Sequence, residues 1–98
     1  MTEYSMQAKL ITEFIGTFFL TLTICTAAAF GTAGSHAPFA IASTLMVMIY
    51  AGGHVSGAHY NPAVTVSIYM RGACEKSDVA PYIASQVTAG EAAALVAS

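Results

Sequence analysis

The residues best placed to do chemistry are Asn61-Pro62-Ala63, at the centre of the run GGHVSGAHYNPAVTV over positions 52–66. Their chemistry is hydrogen bonding at a helix end, not bond-making. Proline suits the first position of a helix, where its missing N–H would have had no partner, and asparagine is among the preferred residues before it. Asn61 therefore reads as an N-cap, and Pro62 opens a short helix through Tyr69 to about Gly72. At ~1.5 Å per residue this helix is about 15 Å long, close to half of the ~30 Å hydrocarbon core of a bilayer. In a membrane it would start near the midplane, with its positive dipole end facing whatever lies there. The other candidate groups offer less. His36, His54 and His59 have no Cys or carboxylate partners at ligand spacing, so no metal or other cofactor is expected. Cys25 and Cys74 form no CxxC or Cys/His pattern. HExxH, GxSxG and any nucleophile-base pair are lacking, and enzyme chemistry is not expected. Glu13 is a sole charge within an apolar run. It is expected to be a buried acceptor that holds the 54–71 segment, because intramembrane carboxylates are usually partnered; a surface charge snorkelling beside Lys9 is the alternative.

The elements that must position these residues read as membrane helices. Of the 98 residues, 8% are charged and 56% hydrophobic, and no Asp, Glu, Lys or Arg occurs between Glu13 and Arg71. Three Lys or Arg and a net charge of -2 point to no nucleic-acid or acidic partner. A secretory signal peptide fits poorly, since Glu3 precedes the apolar run and the run exceeds an h-region. Residues 10–30 are long enough to span, with Glu13, Gly16, Thr17 and Thr21 on one side and Ile11, Phe14, Phe18 and Leu22 on another. Small and hydroxyl residues pack helix against helix in lipid, so this span belongs to a bundle. Residues 31–38 are an uncharged turn. A second span covers 39–58, where Gly52, Gly53, Ser56 and Gly57 are expected to unravel the helix end and expose carbonyls that lipid does not tolerate. The re-entrant loop and half-helix occupy about 54–71, and 71–78 form a polar loop. Asp78 is the expected N-cap of a third span, 79–98, whose packing face carries Gln86, Gly90, Ala93 and Ala97. Lys9, Arg71 and Lys76 fall on one side of this topology, which the positive-inside rule makes cytoplasmic together with the N-terminus.

HVSGAHYNPAVTV, with TEFIGTFFL in the first span and YIASQVTAG in the third, resembles the aquaporins, the major intrinsic protein family of water and small-solute channels. The resemblance runs from Lys9 onward. It implies an all-α membrane fold of six spanning helices in two inverted repeats. Each repeat contributes one re-entrant half-helix, and the two Asn-Pro-Ala turns meet at the midplane. It also implies tetramers in the cell membrane with a separate pore in each subunit. On this resemblance the Asn61 oxygen caps the half-helix while its NH2 donates into the pore, and the carbonyls of Gly57, Ala58, His59 and Tyr60 form a ladder of acceptors. The positive helix end would repel hydronium and cations, leaving water and small neutral solutes to pass. Val64 stands where family members can narrow the channel beside the Asn, and Ala63 and Ile68 are expected to pack. Glu13, His54 and Gln86 are the expected structural supports. Two residues depart from the pattern. Ile41 stands where water-selective members place an aromatic or His at the outer constriction, which leaves glycerol, urea or ammonia open, and Glu91 lies deep in the third span. Only the first repeat is recognisable, so a fragment or truncated product awaiting a second half is expected, with a non-conducting or assembly-only membrane protein as the alternative.

Overall fold

In a computed structural model, residues 4–29 and 31–98 are described. Phe30, the far end of the expected first span, and positions 1–3 of the polar lead lie outside them. The described residues are helical, without strands. Helix α1 covers Met6–Thr23, starting four residues earlier than the hydropathy boundary because the Ser5 hydroxyl caps it, accepting from the Ala8 N–H at 3.1 Å. It continues without a break into a π-helical segment, Ile24–Ala29, inside the span that hydropathy alone reads as regular helix. Here the hydroxyls of Thr23 and Thr26 donate back to the carbonyls of Phe19 and Leu22 at 2.9 Å. The carbonyls of Thr26 and Ala27 accept from residues six further on, Thr32 and Ala33. Hydroxyl back-bonding of this kind competes with the regular ladder and loosens it.

After a single 3-10 turn at Gly34–His36, helix α2 runs Ala37–Ser56 with Pro38 in its first turn. The expected unravelling at Gly52 and Gly53 does not occur. Both stay helical, and the helix stops at Gly57, whose φ of 90 is the left-handed conformation that ends helices. Helix α3, Pro62–Met70, is nine residues long, about 14 Å. It ends in a Schellman motif: the Gly72 N–H donates to Tyr69 O at 2.9 Å and the Ala73 N–H to Ile68 O at 3.0 Å. Helix α4 covers Lys76–Ala97. Asp78 is not its N-cap. The helix begins three residues earlier, with Glu75 at the extended cap position, and Asp78 sits in the first turn, where its charge still favours the positive helix end.

Helices α1 and α4 pack in parallel. The Ser85 hydroxyl donates to Leu10 O at 2.8 Å, Gln86 meets Glu13, and Gly90 approaches Thr21. Helix α2 returns antiparallel to α1, so that Gly52 lies by Thr12 and the Thr44 hydroxyl is 3.0 Å from that of Thr23. Apart from two tyrosines, Tyr60 and Tyr82, the interior holds Ala27, Ala37, Ala89 and Ala93 together with Glu13, Thr17, Ser56, His59, Thr65 and Gln86, whereas Ile11, Phe19, Phe39, Met46, Val47, Tyr50 and Leu95 face outward. Small and polar inside with large apolar outside inverts the water-soluble pattern and matches helices packed in lipid. Two helical stretches, Met6–Ala29 and Gly34–Ser56, are long and apolar enough to cross a membrane. At 22 residues α4 matches them in length, but Ser, Thr, Gln and Glu side chains make it less apolar. The chain is an all-α membrane protein.

Candidate functional site

The site is built behind the loop 57–60, and Glu13 is its anchor. The carboxylate is wholly buried on α1 and receives four donors. Oε1 accepts from the Tyr60 N–H at 2.8 Å and from Gln86 Nε2 at 2.8 Å. Oε2 accepts from the Ser56 hydroxyl at 2.6 Å and from the His59 N–H at 3.1 Å. An acceptor-only carboxylate suits four converging donors, and each charge-assisted bond is stronger than a neutral one. One side chain thus ties the end of α2, two loop amides and α4 to α1.

A second tier surrounds it. Gln86 Nε2 also donates to the Thr65 hydroxyl at 2.9 Å, leaving Gln86 Oε1 without a partner among the described residues. Thr65 Oγ1 is in turn 2.9 Å from His59 Nδ1. The Tyr82 hydroxyl donates to Ser56 O at 2.8 Å, closing the last carbonyl of α2, while its ring lies 5.0 Å from that of His59. The Ser56 hydroxyl accepts from the Ala58 N–H at 3.2 Å. These bonds hold a strained backbone, with Ala58 at φ 55 and Tyr60 at φ 56. For residues bearing a Cβ that conformation costs about 1–2 kcal/mol each.

The direction of the loop carbonyls follows from the amides. A trans peptide places its C=O opposite its N–H, and the N–H groups of Ala58, His59 and Tyr60 all point into the buried network. The carbonyls of Gly57, Ala58 and His59 therefore point out of it. No hydrogen bond to them is made among the described residues. At the end of this row Asn61 takes an extended conformation, φ -161 and ψ 132, and its Oδ1 accepts from the Ala63 N–H at 2.7 Å. The capping bond fixes which amide atom faces the helix, so the NH2 faces away on the exposed side of the chain, without a hydrogen bond among the described residues.

The remaining expected residues fall into place around this. Pro62 is half-buried at the first helical position, and Ala63 and Val64 are exposed in the first turn of α3. Ile41 is half-buried one turn into α2. It lies fifteen residues before Ser56, about 22 Å along the helix axis. Gln86 joins the network, but His54 does not. It is exposed and its ring sits 5.9 Å from that of Tyr4. The reason is helical phase: Gly52 and Ser56, four residues apart, face α1, and His54 midway between them is turned to the opposite side. Ser56, Thr65, Tyr82 and the His59 ring were not foreseen as supports, although Ser, Thr and His beside Asn61 in an apolar stretch were a usable signal. Glu91, expected deep in the third span, is exposed on α4. A polar cleft of about 430 Å³ lies behind the loop, lined by Lys9, Ser56, His59, Cys74, Asp78 and Tyr82 among others. Burial, reinforced by the Asp78 and Glu75 charges and opposed by Lys9, raises the Cys74 thiol above its ordinary value, which makes it a poor nucleophile at neutral pH.

The chain is similar to Aquaporin Z of Photorhabdus laumondii, with 40% identity over 98 aligned positions covering 93% of the chain and 42% of that protein. It is 38% identical over 92 positions to Aquaporin NIP1-1 of Arabidopsis thaliana, covering 88% of the chain and 31% of that protein, and Aquaporin NIP1-2 of the same plant gives the same figures. The chain therefore spans less than half the length of these relatives. No solved structure matches it significantly. The family model described as Major intrinsic protein matches residues 1–98, and the chain belongs to that family.

Proposed function

We propose that this chain is the N-terminal half of a channel for passive permeation of water or small neutral solutes. The observation that carries the reading is the row of unpaired acceptors at Gly57, Ala58 and His59 that ends at the free Asn61 amide, with every neighbouring N–H drawn back to Glu13 and Ser56. A molecule moving along that row exchanges acceptor for acceptor and then gives its oxygen to the Asn61 NH2, so its orientation is set by fixed partners. The N-terminus of α3 adds positive potential at the same point and opposes cations and hydronium. Val64 beside Asn61 and Ile41 at the far end of α2 are the side chains placed to set the bore. Water, glycerol, urea and ammonia all fit the chemistry of this row.

The proposal includes a topology: α1, α2 and α4 cross the membrane, α3 enters halfway, and the N-terminus is cytoplasmic with Lys9, Arg71 and Lys76. It also includes a second half, because the outward carbonyls and the N-terminal end of α3 with its Asn61 amide cannot face hydrocarbon without a cost of several kcal/mol per unpaired group. In a complete assembly in the cell membrane, subunits each with their own pore would form tetramers. A second reading, an assembly element that conducts nothing, is favoured by the openness of Asn61 on the isolated chain. Stopped-flow scattering separates the two. Proteoliposomes carrying the protein with its copurifying membrane partner are expected to shrink faster than empty vesicles under osmotic load, and Asn61→Leu to abolish the difference. Equal rates for wild-type and empty vesicles would overturn the channel reading.

A further inference from the structure

We propose that the Tyr60 side chain is a positioning residue for Asn61, a bolt passed between α1 and α2 that sets the depth and direction of the neighbouring amide. The inference rests on the pore reading for its consequence, but its geometry stands independently.

Tyr60 is held at three points. Its N–H donates to Glu13 on α1. Its ring lies against Gly16 of α1 so closely that a Cβ at position 16 would overlap it, and a Cβ at Gly52 of α2 would overlap the Tyr60 hydroxyl and the Thr12 methyl. The hydroxyl then reaches the middle of α2 and donates to Met48 O at 2.7 Å. The two glycines are therefore the slot and the ring is the bolt, leaving Tyr60 2% exposed. Only ψ of Tyr60 and φ of Asn61 separate this fixed residue from the Asn61 Cα, and the capping bond from Ala63 N–H to Asn61 Oδ1 holds the two side-chain torsions beyond it, so a shift of the ring is transmitted to the Asn61 amide over one peptide plane. Space for such a shift exists. A groove of about 170 Å³ lined by Thr12, Ile15, Met48, Ala51 and Gly52 opens where the hydroxyl emerges. The Met48 hydrogen bond is the contact that fixes how far the ring enters.

Two experiments test this. Tyr60→Phe keeps the ring and deletes the bond. In the purified protein with its membrane partner, the expected result is an unchanged helical spectrum and a melting temperature near wild type. A severalfold lower water permeability per channel should accompany it, and the Asn61 side-chain amide resonance should broaden or double in selectively 15N-labelled protein. Wild-type permeability and a single sharp Asn61 resonance in Tyr60→Phe would overturn the proposal. The second experiment needs no conduction. Gly16→Ala alone is expected to lower the yield of folded protein in detergent severalfold, and Gly16→Ala combined with Tyr60→Val to recover it, because the shorter side chain vacates the slot. If Gly16→Ala is as damaging with Val as with Tyr, the bolt does not exist. A wild-type protein that fails to conduct sinks the pore reading alone and leaves the resonance and the slot exchange to decide the role of Tyr60.

Discussion

At the scale of single residues, Glu13 shows how a charge can sit among apolar helices without being a liability. Removing one partner of a buried charge is worse than never having buried it, and here four donors depend on two oxygens. Glu13→Gln places an NH2 where donors converge, turning at least one hydrogen bond into a donor-donor clash. It is expected to destabilise the protein by about 2–4 kcal/mol in detergent unfolding, with Glu13→Ala no milder. A Gln variant as stable as wild type would mean the loop is held by something else. Thr65→Val keeps shape while removing the hydroxyl shared by Gln86 and His59, at a cost of roughly 1–3 kcal/mol. Cys74 offers a chemical check on the cleft. With its pKa raised, the thiolate fraction at pH 7 falls below that of a free cysteine, so alkylation by iodoacetamide is expected to be slow near neutrality. The rate should climb only at alkaline pH, with a midpoint above that of glutathione measured alongside. Fast labelling at pH 7 would contradict the half-buried, acid-flanked placement.

At the scale of elements, the molecule depends on where helices stop. Two glycines end helices with similar left-handed backbones, Gly57 at φ 90 and Gly72 at φ 84, but their surroundings differ. A Cβ at Gly57 would come 3.2 Å from His59 Nε2, whereas one at Gly72 would meet nothing within 4 Å. Gly72→Ala is therefore expected to cost only the backbone penalty, about 1–2 kcal/mol. Gly57→Ala should cost more and disturb the loop as well. Thermal unfolding of the pair, compared at equal protein and detergent, measures the difference, and equal losses would show that His59 yields freely. The half-helix α3 is short for a reason visible at both ends: Asn61 and Pro62 start it, and Gly72 closes its Schellman motif.

At the scale of the whole molecule, the principal extents are 40 × 23 × 23 Å, and the long one matches the ~40–45 Å of a bilayer including its headgroups. The outward band of Ile11, Phe19, Phe39, Met46, Val47 and Tyr50 is the surface offered to acyl chains or to neighbouring apolar helices. Val47, exposed in the middle of α2, is a suitable probe. Val47→Asp is expected to raise the apparent cost of inserting that helix by roughly 2.5–3.5 kcal/mol. A glycosylation-reporter insertion assay would show this as a loss of spanning product. Unchanged insertion would place Val47 away from lipid.

Much of this was legible in the chain itself, because the deciding forces are local. The proline ring and the asparagine amide define a helix start within three residues, the charge-free stretch between Glu13 and Arg71 demands a bilayer, and the 52–66 run is specific enough to name the family. Glu13 could be singled out as needing partners, but not which ones: Ser56, His59, Tyr60 and Gln86 lie 43 to 73 residues away along the chain. Helical phase, fixed only when α2 docks on α1, chose Ser56 over His54. The same docking kept Gly52 helical where composition argued for fraying, since a glycine that admits a tyrosine hydroxyl and a threonine methyl is stabilised by packing that no window of sequence contains. The outward turn of the Gly57, Ala58 and His59 carbonyls was likewise decided by tertiary contacts, because peptide planes rotate freely in a loop until their amides find acceptors on another helix.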